Sequence, residues 1–199
     1  ALTVRGVFSG KRVREEIEEL IESKTFESLE KKFAAVSVLL ASGDEYIWSK
    51  GNLVTAVRAS TGIPCVFTPL EYEGRLHVDG GLANPMPVSA AKALGARSVL
   101  AVNLFGQQKS LVPEDKEGSL TFRKVLTKVS SVTNPSMLRV LEQSFFIGNR
   151  NLTNAMLKVS PAAHVINPKV SKYRVSDFHK AKEIIKIGEE AAREFLSMY

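Results

Sequence analysis

The chain carries a single cysteine, Cys65, so it forms no internal disulfide, and nothing in its cysteine usage calls for an oxidising compartment. Its three histidines and one cysteine have no zinc-site spacing, and no metal is expected. Long apolar runs are also missing. The longest buried-looking stretch, residues 33–41, is about half the roughly 20 residues that a membrane-spanning helix needs. Residues 1–6 have neither the basic region nor the apolar stretch of a secretory signal, although a chain opening on Ala1 can have lost upstream sequence. The expectation is a soluble, cytoplasmic protein with peripheral contact to a membrane surface.

What is present is ordinary globular composition. With 199 residues, 44% hydrophobic and 24% charged, the chain is long enough for one sizeable core and short for two, so a single domain over residues 1–199 is expected. The formal charge of +6 invites a polyanionic partner. Basic residues are nevertheless interleaved with acids over residues 11–22 and 180–193, the pattern of solvated helix faces, so no nucleic acid is expected. A milder patch of Lys169, Lys172, Arg174, Lys180 and Lys182 is suited to an anionic lipid surface.

Periodicity predicts the elements. Ser9 can cap an amphipathic helix whose stripe is Val13, Ile17, Leu20 and Ile21. Residues 33–40 read as a strand buried on both faces, turned by Ser42-Gly43-Asp44 into a second strand over 45–48. A short helix over 53–60 stops before Pro64, and residues 70–78 form two short strands joined at Glu73-Gly74. A helix over 88–94 ends at Gly95, and residues 98–104 read as another buried strand. Residues 107–118 are polar and predict a mobile loop. Helices follow over 120–129 and over 135–159, the latter striped by Met137, Leu141, Phe145, Leu152 and Met156. A last strand is predicted over 164–166 and a long helix over 177–198, with Phe178, Ala181, Ile185, Gly188, Ala192 and Phe195 on one side. Together these imply an α/β fold with a mainly parallel sheet flanked by helices.

The chemistry-bearing stretch is His77-Val-Asp79-Gly80-Gly81-Leu-Ala-Asn84-Pro85-Met-Pro87. An aspartate closing a buried strand and followed by two glycines is a carboxylate with unshielded backbone around it, open to close approach by a substrate or a loop. Asn84 can bond its own backbone, and Pro85 and Pro87 stiffen the entry to the next helix. Asp-Gly-Gly alone is also ordinary turn chemistry.

In wider context the pattern Ala-Val-Arg58-Ala-Ser60-x-x-Ile-Pro64-x-x-Phe67-x-Pro69, a hairpin, then Val-Asp79-Gly80-Gly81-Leu-x-Asn84-Pro85-x-Pro87-Val and a helix ending Ala-Leu-Gly-Ala strongly resembles the patatin-like phospholipase family, in its bacterial and neuropathy-target-esterase-like branch. Residues 6–13 and 175–179 resemble the opening of this half of the domain and its C-terminal end, so the likeness spans nearly the whole chain. It implies a three-layer architecture and lipid acyl-ester hydrolysis by a Ser/Asp dyad without metal or organic cofactor. The family's aspartate maps onto Asp79. That residue would orient the serine and accept its proton, and water would later release the acyl-enzyme. A dyad needs no histidine, and His77, His164 and His179 read as structural.

The family pattern also requires a Gly-x-Ser-x-Gly elbow and, upstream, a glycine-rich oxyanion loop. Neither occurs here: Ser9, Ser37, Ser42 and Ser60 all fail the pattern. The domain is therefore expected to be N-terminally incomplete, lacking its first strands, and inactive alone. Apolar surface is expected along residues 33–40 and 98–104, to be covered by the missing segment or by oligomerisation. The competing reading is a catalytically silent binding or scaffold protein with this fold. Arg58 is expected to anchor a helix C-terminus, Ser60 to cap or back-bond there, and Phe145, Phe146, Met137 and Met156 to line the core or an acyl groove.

Overall fold

The structure, a computed structural model, describes residues 10–22, 24–64, 66–106, 137–173 and 177–198. The loop predicted over 107–118, the helix over 120–129, Ser9, Cys65 and Arg174 lie outside the described residues. Two compact units separate by their internal contacts: Ala1–Ala101 with Gly148–Val165, and Val102–Ile147 with Ile166–Tyr199.

The first unit opens with α1 (Lys11–Ile21), an amphipathic helix with a Lys11–Glu15 pair at 3.8 Å on its exposed side. Its N-cap is Gly10, at φ 70°, and makes no side-chain cap bond. The left-handed backbone favours glycine there, and the Arg58 guanidinium packs against its α-carbon, where a β-carbon would stand.

β1 (Ala35–Leu39) is buried on both faces, as its apolar run predicts. It pairs antiparallel with β2 (Glu45–Trp48) on one side and with β4 (Arg75–Asp79) on the other, and β4 forms a hairpin with β3 (Leu70–Tyr72). The order is β2-β1-β4-β3. Register puts Ala35, Ser37, Trp48, Tyr46, His77, Leu70 and Tyr72 on one face. Against that face, α2 (Leu53–Ser60) buries Leu53, Ala56 and Ala59 in a core with Phe26, Ala35 and Trp48. Asn52 caps α2 by accepting from the Thr55 N–H at 2.8 Å. The opposite face carries Val36, Val38 and Val78, and Val36 shares a cavity wall with Pro87, Ala90 and Leu94 around α3 (Val88–Ala93). Gly95, at φ 97°, follows α3 as predicted.

β5 (Leu100–Val102) and β6 (His164–Ile166) make a second, two-stranded sheet. Its backbone bonds, Ala163 N–H to Val99 O at 2.9 Å and Asn103 N–H to Ile166 O at 2.8 Å, advance together along both strands, which is the parallel pattern. α4 (Met137–Val159) and α5 (Ala181–Leu196) complete the described elements, α5 being preceded by a 3-10 turn at Phe178–Lys180.

The α/β reading stands, and its mixed helices and sheets are compatible with a three-layer architecture. The expectation of a mainly parallel sheet needs correction: the four-stranded sheet is antiparallel throughout. Its connections explain why. Turns at 40–44 and 73–74 are too short for parallel crossovers, so β1–β2 and β3–β4 are obliged to be hairpins. A second correction concerns residues 98–104. Ala101 is buried, but Leu100, Val102 and Leu104 are each at least half exposed, so β5 is covered on one side only. Exposed apolar surface was expected here and along residues 33–40; in the latter stretch only the ends, Phe33 and Leu40, are exposed, because α2 packs on one face of the centre and the 3-10 turn Gly80–Leu82 on the other.

Candidate active site

Asp79 ends β4, opposite Ser37 of β1. Its backbone N–H donates to Gly62 O at 3.0 Å, tying the strand end to the loop that leaves α2. Its side chain caps the 3-10 turn Gly80–Leu82, accepting from the Gly81 N–H at 2.7 Å. Burial raises the Asp79 carboxyl above its ordinary value, and the Gly81 bond opposes that by favouring the anion.

The two glycines are needed for close internal packing. Gly80 is pressed onto the backbone carbonyl of Val36, leaving no room for a β-carbon, and its C=O accepts from the Asn84 N–H at 2.9 Å. A β-carbon on Gly81 would stand 2.5 Å from Asn149 Oδ1 and 3.0 Å from Asp79 Oδ1. The unshielded backbone foreseen from the sequence is thus filled by β1 and by a side chain of α4. Asn84 is buried, and its amide donates to Glu45 Oε1 of β2 and to Ser89 Oγ of α3, both at 3.0 Å. This side chain spans two elements where a bond to its own backbone was expected. Pro85 and Pro87 lead into α3, with Pro87 at its N-cap position.

His77 is 1% exposed and sits in a cage of Tyr46, Trp48 and Tyr72. Ser37 Oγ accepts from Trp48 Nε1 at 2.8 Å and lies 2.9 Å from His77 Nδ1. Since indole only donates, all three atoms are satisfied when the Ser37 hydroxyl donates to Nδ1 of a neutral imidazole. Burial lowers the His77 pKa and favours that neutral form. His164 and His179 lie on the exposed parts of β6 and of the 3-10 turn.

Arg58 is buried. Its Nη2 donates to Thr68 O at 2.7 Å, and its guanidinium lies 5.5 Å from the Phe67 ring centroid. It anchors the loop after α2 rather than the end of the helix itself; the hydroxyl that bonds back along α2 is Thr61's, to Val57 O at 3.0 Å, next to Ser60. Within the basic patch, Lys172 pairs with Glu183 at 2.9 Å and Lys180 with Asp177 at 3.5 Å, which offsets part of its charge. No helix among the described residues is long and apolar enough to cross a membrane.

Asn149 is the site residue that sequence reasoning passed over. The apolar stripe expected on α4 is only half-buried or exposed: Leu141 is 43% exposed, and Phe145, Phe146, Leu152 and Met156 are intermediate. The buried residues described on α4 are Asn149 and Thr153. The signal was present, since Asn149 stands four residues after Phe145 and three before Leu152, a polar residue interrupting an apolar stripe.

The family model for patatin-like phospholipases matches residues 1–92. An uncharacterized NTE family protein of Mycobacterium tuberculosis is 28% identical over 204 residues, covering 98% of this chain and 34% of its own. The lysophospholipase NTE1 of Candida glabrata is 29% identical over 154 residues, covering 75% of this chain and 9% of its own. A patatin-like phospholipase domain-containing protein of Caenorhabditis elegans is 26% identical over 194 residues, 94% of this chain and 14% of its own. The chain thus spans about a third or less of the length of these relatives. Asp79-Gly80-Gly81, at the end of β4, lies inside the stretch that is similar to patatin-like phospholipases, and the relatives that cover most of the chain are NTE-family and patatin-like proteins.

Proposed function

We propose that this chain supplies the aspartate of a lipid acyl hydrolase acting on lysophospholipid or related acyl esters through a Ser/Asp dyad. The observation that carries the reading is the state of Asp79: a half-buried carboxylate at a strand end, one oxygen held by the Gly81 N–H, its pKa raised by desolvation toward the range in which a base works. Asp79 takes the proton from the serine hydroxyl as its oxygen attacks the ester carbonyl. It then returns that proton to the leaving alcohol, and takes one from the water that cleaves the acyl-enzyme. The nucleophile lies outside these 199 residues, none of which stands in a Gly-x-Ser-x-Gly context. His77 takes no part, since its Nδ1 is engaged by Ser37 inside an aromatic cage.

The test is the intact mass of the full-length protein after incubation with a fluorophosphonate, alongside hydrolysis of lysophosphatidylcholine by the unaltered protein and by Asp79→Asn. One adduct on a serine, and turnover that Asp79→Asn abolishes, are expected. A protein that takes no adduct is a silent relative, and turnover retained in Asp79→Asn ends the dyad reading.

A further inference from the structure

The buried edge of α4 is polar at the place where an apolar edge would be the cheaper choice. Asn149 and Thr153 stand one helical turn apart and so share a face; they are 3% and 1% exposed, and the Thr153 hydroxyl has no hydrogen-bond partner. Burying an amide and a hydroxyl costs desolvation that a leucine at either position avoids. Packing alone therefore does not account for Asn149, and its neighbours supply the reason. Its Oδ1 lies against the α-carbon of Gly81, on the side that also faces Asp79 Oδ1. Gly81 in turn donates the N–H that holds the Asp79 carboxylate.

We propose that Asn149 is a positioning residue of the Asp79 site: by bearing on Gly81 it fixes the direction of the N–H that orients the Asp79 carboxylate. The assignment rests on the reading of Asp79 as the base of the dyad. Gly81 is the pivot, because a side chain there would meet both the Asn149 amide and the Asp79 carboxylate. The amide also brings a fixed dipole close to a carboxylate whose burial favours protonation, so a change at position 149 is felt as a change in Asp79 ionisation.

The experiment uses full-length protein carrying carbon-13 in its aspartate carboxyls, with the Asp79 signal identified by its loss in Asp79→Asn. Asn149→Asp, nearly isosteric and neutral at acid pH where the titration begins, is expected to raise the Asp79 midpoint by about one pH unit as a second carboxylate ionises beside it. Asn149→Leu is expected to fold with undiminished thermal stability, to shift the Asp79 midpoint, and to lower kcat for p-nitrophenyl butyrate about tenfold with little change in KM. Asn149→Ser keeps a small polar group if the leucine does not fit, and is expected to retain more of kcat than Asn149→Leu. An Asp79 midpoint that moves by less than about 0.2 unit in Asn149→Asp overturns the proposal, because two carboxyls in this geometry are bound to interact. Turnover retained in Asp79→Asn would instead overturn the dyad, and the titration would still decide whether Asn149 and Asp79 are coupled.

Discussion

Ser37 Oγ lies 2.9 Å from His77 Nδ1, and both residues are closed off from water between two strands of an antiparallel sheet. Trp48 donates to the same oxygen, so one hydroxyl satisfies an indole and an imidazole together. The serine that looked unremarkable in sequence is the junction of the core beside Asp79.

Ser37→Ala removes that junction and leaves Trp48 Nε1–H and His77 Nδ1 unpaired in the core. Each buried unsatisfied group costs about 1–3 kcal/mol, so a loss of about 2–4 kcal/mol in urea denaturation is expected. A loss below about 0.5 kcal/mol would mean that the three side chains are not bonded as described.

His77 is held neutral, its pKa lowered from the ordinary 6.5 by burial. The unfolded chain therefore takes up a proton before the folded chain does as pH falls. Stability is full above pH 6.5 and declines below it, with a slope of up to about 1.4 kcal/mol per pH unit from this residue. His77→Gln is expected to flatten the decline of Tm between about pH 6.5 and 5. An unchanged slope in His77→Gln would assign the acid sensitivity to other groups.

Asp79 has the opposite sign. Its folded pKa is raised, so the folded state is the weaker acid, and stability is lost as pH rises from the unfolded value through the folded one. At neutral pH the ionised carboxylate is a standing cost. Asp79→Asn retains an oxygen for the Gly81 N–H and removes the charge, so it is expected to raise Tm at pH 7 by about 2–4 °C while removing hydrolysis. The gain should vanish near pH 3, where the unaltered residue is protonated in both states. A lower Tm at pH 7 would show that the charge is better solvated than its burial implies.

Gly80→Ala places a methyl group against the Val36 carbonyl, where both partners are backbone and neither can rotate away. Overpacking of this kind costs about 1–3 kcal/mol, and a displaced β1–β4 register would add to it. Chemical denaturation and amide exchange at Ser37 and Asp79 are the measurements. A protein as stable as the original would mean that the turn lies further from β1.

Helix and strand positions were legible because they rest on local signals. β2 and α2 fall where periodicity puts them, and α3 starts where predicted, ending one residue early. The candidate site was legible as a position, Asp79 at a strand end ahead of a turn, since Asp-Gly-Gly and the two prolines are contiguous in sequence. The two hairpins were legible from their short turns, but the antiparallel pairing of β1 with β4 was not, because it joins strands separated in sequence by β2, α2 and β3. The burial of α4 was misread because a stripe of large apolar residues is a statement about one helix, whereas which edge is covered depends on what packs against it. Leu141 is exposed and Asn149 buried for that reason.

Composition and local pattern determined that this chain forms a mixed α/β fold, that an aspartate followed by two glycines closes one of its strands, and that no Gly-x-Ser-x-Gly stretch lies within these residues, because each is written in consecutive residues. The tertiary structure alone decided that Ser37 and His77, 40 residues apart, share a hydrogen bond, and that Asn149 comes to rest on the glycine that holds Asp79. Such pairings come from packing between segments remote in sequence, where shape and the pairing of buried polar groups select partners that no local pattern encodes.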